Sequence, residues 1–168
     1  MPWPDWLPGD VITAGRMRAS QWEFLQTSAD QSVAASTTLV PVPELVIPVA
    51  ANAIYLIKAR LCYGGPPAGD IKVAWSIPSG ASLQRNIIAA ASGISSADSG
   101  SDVVMRRRGG TTEQSAGAVA AGFLSYFEEC RLTTVSSGNC QVQFAQQTSD
   151  ATATILRSLS WLEWLRIG

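Results

Sequence analysis

Histidine is absent from this 168-residue chain, which removes both the commonest general base and the commonest metal ligand. No Ser-His-Asp or Cys-His arrangement can form, and no serine stands in a Gly-x-Ser-x-Gly frame. Gly64-Gly65-Pro66-Pro67 lacks the lysine and the spacing of a phosphate-binding loop. Glu128-Glu129 would suit glycoside hydrolysis only if both carboxylates faced one substrate. Neighbours on a strand point to opposite faces, so both are expected as solvated surface charges. Asp98 and Asp102 lack the regular spacing of a calcium loop. Cys62, Cys130 and Cys140 cannot all pair within one chain. Cys130 and Cys140 could face each other across a hairpin, but free thiols are expected, with Cys62 buried in mid-strand. No enzyme activity, cofactor or metal is expected.

The elements that would position these residues are strands. Asn52 to Tyr63 alternates most clearly: Ala53, Tyr55, Ile57, Ala59, Leu61 and Tyr63 share one face, while Ile54, Leu56, Lys58, Arg60 and Cys62 share the other. Ile71, Val73 and Trp75 alternate with Lys72, Ala74 and Ser76, so Asn52–Tyr63 and Asp70–Ile77 read as a hairpin closed by the Gly-Gly-Pro-Pro turn. Further strands are expected at Val33, Thr37–Val40, Leu45–Val49, Val103–Arg108, within residues 118–134, around Val142 and Phe144, around Thr154, and at Ser160–Ile167. Ala89 to Gly100 reads as a loop, and Gly138-Asn139 as a turn. That is roughly eight strands with no βαβ period, which predicts a two-sheet sandwich in residues 31–168.

Residues 1–30 differ from the rest. Proline and tryptophan punctuate the opening, and Thr13 is placed to cap a short helix from Ala14 to about Phe24. Half of the six tryptophans fall here, and an apolar arm of this kind is buried only against something else. The segment is therefore expected to dock, through Trp3, Trp6, Val11, Ile12, Met17 and Trp22. Arg106-Arg107-Arg108 is the only dense charge cluster, expected as a solvated edge or as a contact with an acidic neighbour.

Composition supports assembly over catalysis. Apolar residues make up 46% of the chain, enough for a core, while charged residues make up 15%, below the ~25% of an ordinary soluble domain. A net charge of -1 supplies no basic field for nucleic acid, so no direct nucleic-acid partner is expected. No run of eighteen apolar residues suggests a membrane span, and no basic flank with an apolar block suggests an ordinary secretion signal.

Several stretches, in order, resemble a known group. They are Trp6-Leu7-Pro8-Gly9-Asp10-Val11-Ile12-Thr13-Ala14, Ala51-Asn52-Ala53-Ile54-Tyr55, and Gly69-Asp70-Ile71-Lys72-Val73 with Pro78-Ser79-Gly80-Ala81. Phe144-Ala145-Gln146-Gln147-Thr148-Ser149-Asp150 and the segment from Ser160-Trp161-Leu162 to Arg166-Ile167-Gly168 complete the set. Together they resemble small virion structural proteins of tailed bacteriophages that infect actinobacteria. The resemblance implies an all-β fold, a jelly-roll or tumour-necrosis-factor-like β-sandwich with an extended N-terminal arm. It also implies a homotrimer without a catalytic set, carried on a virion assembled in the host cytoplasm. On it the leading expectation is a head decoration protein whose arm binds the major capsid protein. The alternative is a minor tail or baseplate protein binding host glycan, with Trp75 and Tyr63 the nearest aromatic pair.

Overall fold

The computed structural model describes residues 7–94, 96–97 and 102–168. Among the described residues twelve strands form two antiparallel sheets. Sheet A runs in the order β1 (Glu23–Gln26), β12 (Trp161–Arg166), β4 (Ile54–Gly64), β9 (Leu124–Thr133), β6 (Ser82–Ala90) and β7 (Val103–Gly109). The short β11 (Thr154–Leu156) continues beside the end of β4 and pairs with β2 (Gln31–Val33). Sheet B runs in the order β3 (Val40–Val49), β10 (Gly138–Ala145), β5 (Ile71–Ser76) and β8 (Gln114–Ala116). From β3 to β6, and again from β8 to β11, each successive strand lies in the opposite sheet. The chain thus wraps a single core.

The alternation of β4 is realised as read. Ala53, Tyr55, Ile57, Ala59, Leu61 and Tyr63 are all buried between the sheets. The hairpin expected between it and Asp70–Ile77 is not formed. Both edges of β4 are occupied, by β9 on one side and by β12 and β11 on the other, so β5 crosses to sheet B. The turn at Pro66 serves as that corner, with the Gly69 and Asp70 amides both donating to the Pro66 carbonyl. Ser82–Ala90 is a strand that the sequence reading passed over, and Gly138-Asn139 open β10 instead of forming a turn. The strand expected within residues 118–134 is β9.

The expected N-terminal part is corrected. No helix is an element of the sandwich, and the short helix from Ala14 to Phe24 is not present at that length. Helical hydrogen bonding covers only Ala14–Ala19, fewer than two turns, with no acidic residue in the first turn. The Ser20 hydroxyl then donates to the Met17 carbonyl, competing for the bond that would extend it. Glu23–Gln26 instead pairs in register with β12, and the buried Thr27 bonds with Ser160, so the sheet already begins within the first thirty residues.

A buried charge pair within sheet A bonds across the core to sheet B. Arg85 of β6 and Glu128 of β9 are both completely or almost completely buried and form a bidentate ion pair, with Nη2 to Oε2 at 3.1 Å. Arg85 also donates to the Thr112 carbonyl at 2.7 Å and to the Tyr126 hydroxyl at 3.3 Å. Trp75 of β5, in the opposite sheet, donates its indole N–H to Glu128 at 3.0 Å, and the Cys130 thiol donates to the same oxygen at 3.1 Å. Among the described residues no buried side-chain nitrogen or oxygen lacks a partner. Glu128, expected as a solvated charge, is therefore a core residue, because its counter-charge lies on a strand distant in sequence. Burial works against the Arg85 charge, yet Glu128 more than compensates and holds the guanidinium protonated.

The cysteines are free. Cys130 and Cys140 stand on strands of opposite sheets and are buried, whereas Cys62, expected to be buried, is half-exposed. Burial, reinforced by Glu128, raises the Cys130 thiol and lifts that of Cys140 from 9.0 to about 12. A raised acid holds its proton in the fold where the unfolded chain releases it, so the associated stability is complete below pH 9 and is lost as pH rises toward 12. The melting temperature of the wild type should accordingly fall faster between pH 9 and pH 12 than that of Cys140→Ala; parallel curves would dissociate this thiol from alkaline unfolding.

Glu128→Gln leaves Arg85 buried without its counter-charge and should cost about 3–5 kcal/mol in urea unfolding. Arg85→Met with Glu128→Leu should cost less than the two single changes added together. Additive losses would show that the two side chains do not act as a pair.

Candidate interaction surface

The outer faces of the two sheets have opposite chemistry. Sheet B presents Pro41, Pro43, Glu44 and Pro48 from β3 beside the half-exposed Gln141 and Gln143 of β10. Sheet A presents apolar and charged side chains in two register rows. Cross-strand pairing aligns Trp161, Arg60, Phe127, Ile88 and Met105 from β12 to β7. The next row is Glu163, Lys58, Glu129, Asn86 and Arg107. An open groove of about 680 Å³ runs between these rows, from Trp161 and Lys58 to Met105 and Arg107. Met105 is 79% exposed, and Phe127 and Ile88 are each more than a third exposed. Outward-facing apolar side chains at neighbouring sites of a regular sheet make a contact surface, whereas scattered ones would not.

Local contacts stiffen the β12 side of this face. Lys58 pairs with Glu163 at 2.9 Å, and its ammonium lies 4.4 Å from the Trp22 ring centre. Arg60 stacks over Phe127 at 5.6 Å, and Phe24 lies against Trp161 at 6.0 Å between centroids. The exposed rings thus already carry cations or other rings on them.

The structure scatters the residues expected to bind partners. Trp3 and Trp6 lie outside the described residues. Val11 is 75% and Ile12 63% exposed, and Met17 is also exposed, ahead of the sandwich. Trp22 stands beside Lys58 at the margin of the sheet A face. The three arginines belong to the edge strand β7 and do not act together. Arg106 donates to the Ser115 carbonyl at 3.0 Å and Arg108 to the Gln114 amide oxygen at 3.2 Å, both toward β8. Arg107 alone joins the outer face. Trp75 and Tyr63, the expected glycan pair, are both core residues, Trp75 bonded to Glu128 and Tyr63 to the Gly117 carbonyl. They offer no sugar platform.

The sequence reading missed Phe127, Ile88, Met105, Glu129 and Asn86 as one surface. The signal was present in part: two-residue periodicity puts Gln84, Asn86 and Ile88 on one face of β6. Their alignment with β7 and β9 requires the register of pairing. Among the described residues no group of three metal-ligating side chains comes together, and no helix is long and apolar enough to cross a membrane.

No family model matches this chain, and no curated protein does. Among solved structures, a chain from the infectious bursal disease virus Gt strain superposes with a TM-score of 0.21 at 9% identity. A chain from the Gx strain of that virus gives 0.22 at 10%. Each alignment covers 100% of this chain but only 43% of the viral one. Superpositions at these scores do not establish a shared architecture.

If the sheet A face is surface and not core, Met105→Ser should change unfolding stability by no more than about 0.5 kcal/mol. A loss of several times that amount that persists on dilution to the monomer would mean that Met105 packs within the protomer.

Proposed function

We propose that this protein is a non-enzymatic structural component of a phage particle, a head decoration protein that binds the major capsid protein lattice. The observation that carries the proposal is the exposed apolar segment ahead of the sandwich, with Leu7, Val11, Ile12 and Met17 all uncovered. An isolated soluble domain gains nothing from displaying such residues, while an assembling one buries them against a partner. Each fully buried aliphatic side chain contributes about 1.5–3 kcal/mol, and the gain repeats at every copy. The chain's low charge content and its ordered likeness to actinobacteriophage virion proteins support the same reading. Assembly would take place in the host cytoplasm, and the mature location would be the virion.

A minor tail protein is the competing assignment, and it differs in copy number. Quantitative mass spectrometry of particles containing this protein should find it in numbers comparable with the capsid lattice protein. A handful of copies per particle would overturn the decoration role in favour of the tail, and absence from particles would overturn both. Val11→Asp with Ile12→Asp should abolish incorporation while leaving the melting temperature of the free protein unchanged; normal incorporation would place docking elsewhere.

A further inference from the structure

We propose that this protein pairs with a second copy of itself through the outer face of sheet A, about a two-fold axis running along β6. The pairing stands whether or not the chain belongs to a particle. It rests on the register around that strand. Asn86 of β6 is opposite Glu129 on β9 and opposite Arg107 on β7. Ile88, two residues on, is opposite Phe127 on β9 and Met105 on β7. The two flanks of β6 therefore carry unlike partners at equal offsets: acid and aromatic on one side, base and thioether on the other.

A half-turn about an axis parallel to β6, between two facing sheets, exchanges the flanks and keeps position along the strand. It sets each β7 over the other copy's β9. Arg107 then meets Glu129 twice, Met105 meets Phe127 twice, and Ile88 and Asn86 meet their own counterparts near the axis. Two asparagine amides facing each other can each donate and accept. This is the self-complementarity that an isologous interface demands. Had both flanks carried the same charge, the same operation would have opposed like charges.

The charges concerned need partners. Both Arg107 and Glu129 are exposed, and among the described residues neither side chain makes an ion pair or hydrogen bond. Within one protomer they stand two strands apart, roughly 9.5 Å, too far for direct contact between backbone sites. Lys58 and Glu163 at the other end of the row are already paired and would form the rim. Met105, the most exposed large apolar side chain of the face, is unbranched and pliable, and it can enter the partner's groove beside Phe127.

Sedimentation equilibrium of the full chain should give twice the 17.8 kDa protomer mass at micromolar concentration. Arg107→Glu and Glu129→Arg each replace two attractive contacts by two repulsive ones, and each should weaken the dimer at least about tenfold. Together in one chain they restore opposite signs, and affinity should return toward that of the wild type. Both changes are at exposed positions, so melting temperatures should match that of the wild type at dilutions where all are monomeric. A monomeric wild type would overturn the proposal. So would a three-protomer species indifferent to both substitutions, or a double variant no tighter than the single ones.

Discussion

The ion pair between Arg85 and Glu128 is the constraint on which the sandwich depends. Two charges taken out of water cost several kcal/mol each, and their attraction recovers this only in good geometry with every remaining donor and acceptor satisfied. Here those partners come from β6, β9 and β5 and from the Thr112 carbonyl in the segment before β8. Sliding one sheet over the other by a residue would strip Trp75 from Glu128 and the Val73 carbonyl from Arg85, leaving the buried pair short of partners. Aliphatic packing alone tolerates such slips, because one leucine can replace another. The buried pair does not, so its contribution is to single out one alignment of the two layers.

The same alignment creates the asymmetry between the outer faces. Prolines along β3 and glutamines along β10 keep sheet B polar and poor in new strand pairing. Sheet A has a mixed face with aromatic, aliphatic and charged side chains in rows. Fixing Arg85 inward on β6 obliges Asn86 and Ile88 to face outward, since side chains alternate along a strand. Inner charge and outer contact surface are thus two consequences of one register.

How much of this was legible before the structure depended on the range of the interaction. The alternation in β4 was readable because it is local, and its core face was identified residue by residue. The strand nature of β12 was readable for the same reason, whereas that of β9 followed from its strand neighbours, since Val119, Phe123, Tyr126 and Phe127 also fit a helical stripe. The partner of β4 was not, since two adjacent strands in sequence look like a hairpin until both edges of the first prove to be taken by β12 and β9. Glu128 was misjudged because a carboxylate is expected in water unless its counter-charge is known, and Arg85 lies 43 residues away. The arginine triplet held a clue that composition conceals: alternation along a strand must split Arg107 from Arg106 and Arg108. The short helix failed because local capping logic stopped at Thr13, whereas β12 claimed Glu23–Gln26.

The pairing of β1 with β12 also bears on the order of events as the chain is made. Thr27 and Ser160 hydrogen-bond across a separation of 133 residues, so the first strand of sheet A waits for the last before its edge is complete. Contacts this distant are slow to form, because the closure entropy of the intervening loop is met before any bond repays it. During synthesis Phe24 and Leu25 remain without their final neighbours until β12 has left the ribosome. A nascent chain with an early apolar strand held open is a substrate for holding chaperones, and its yield in a cell would depend on the time taken to translate from β1 to β12 as well as on the stability of the finished sandwich.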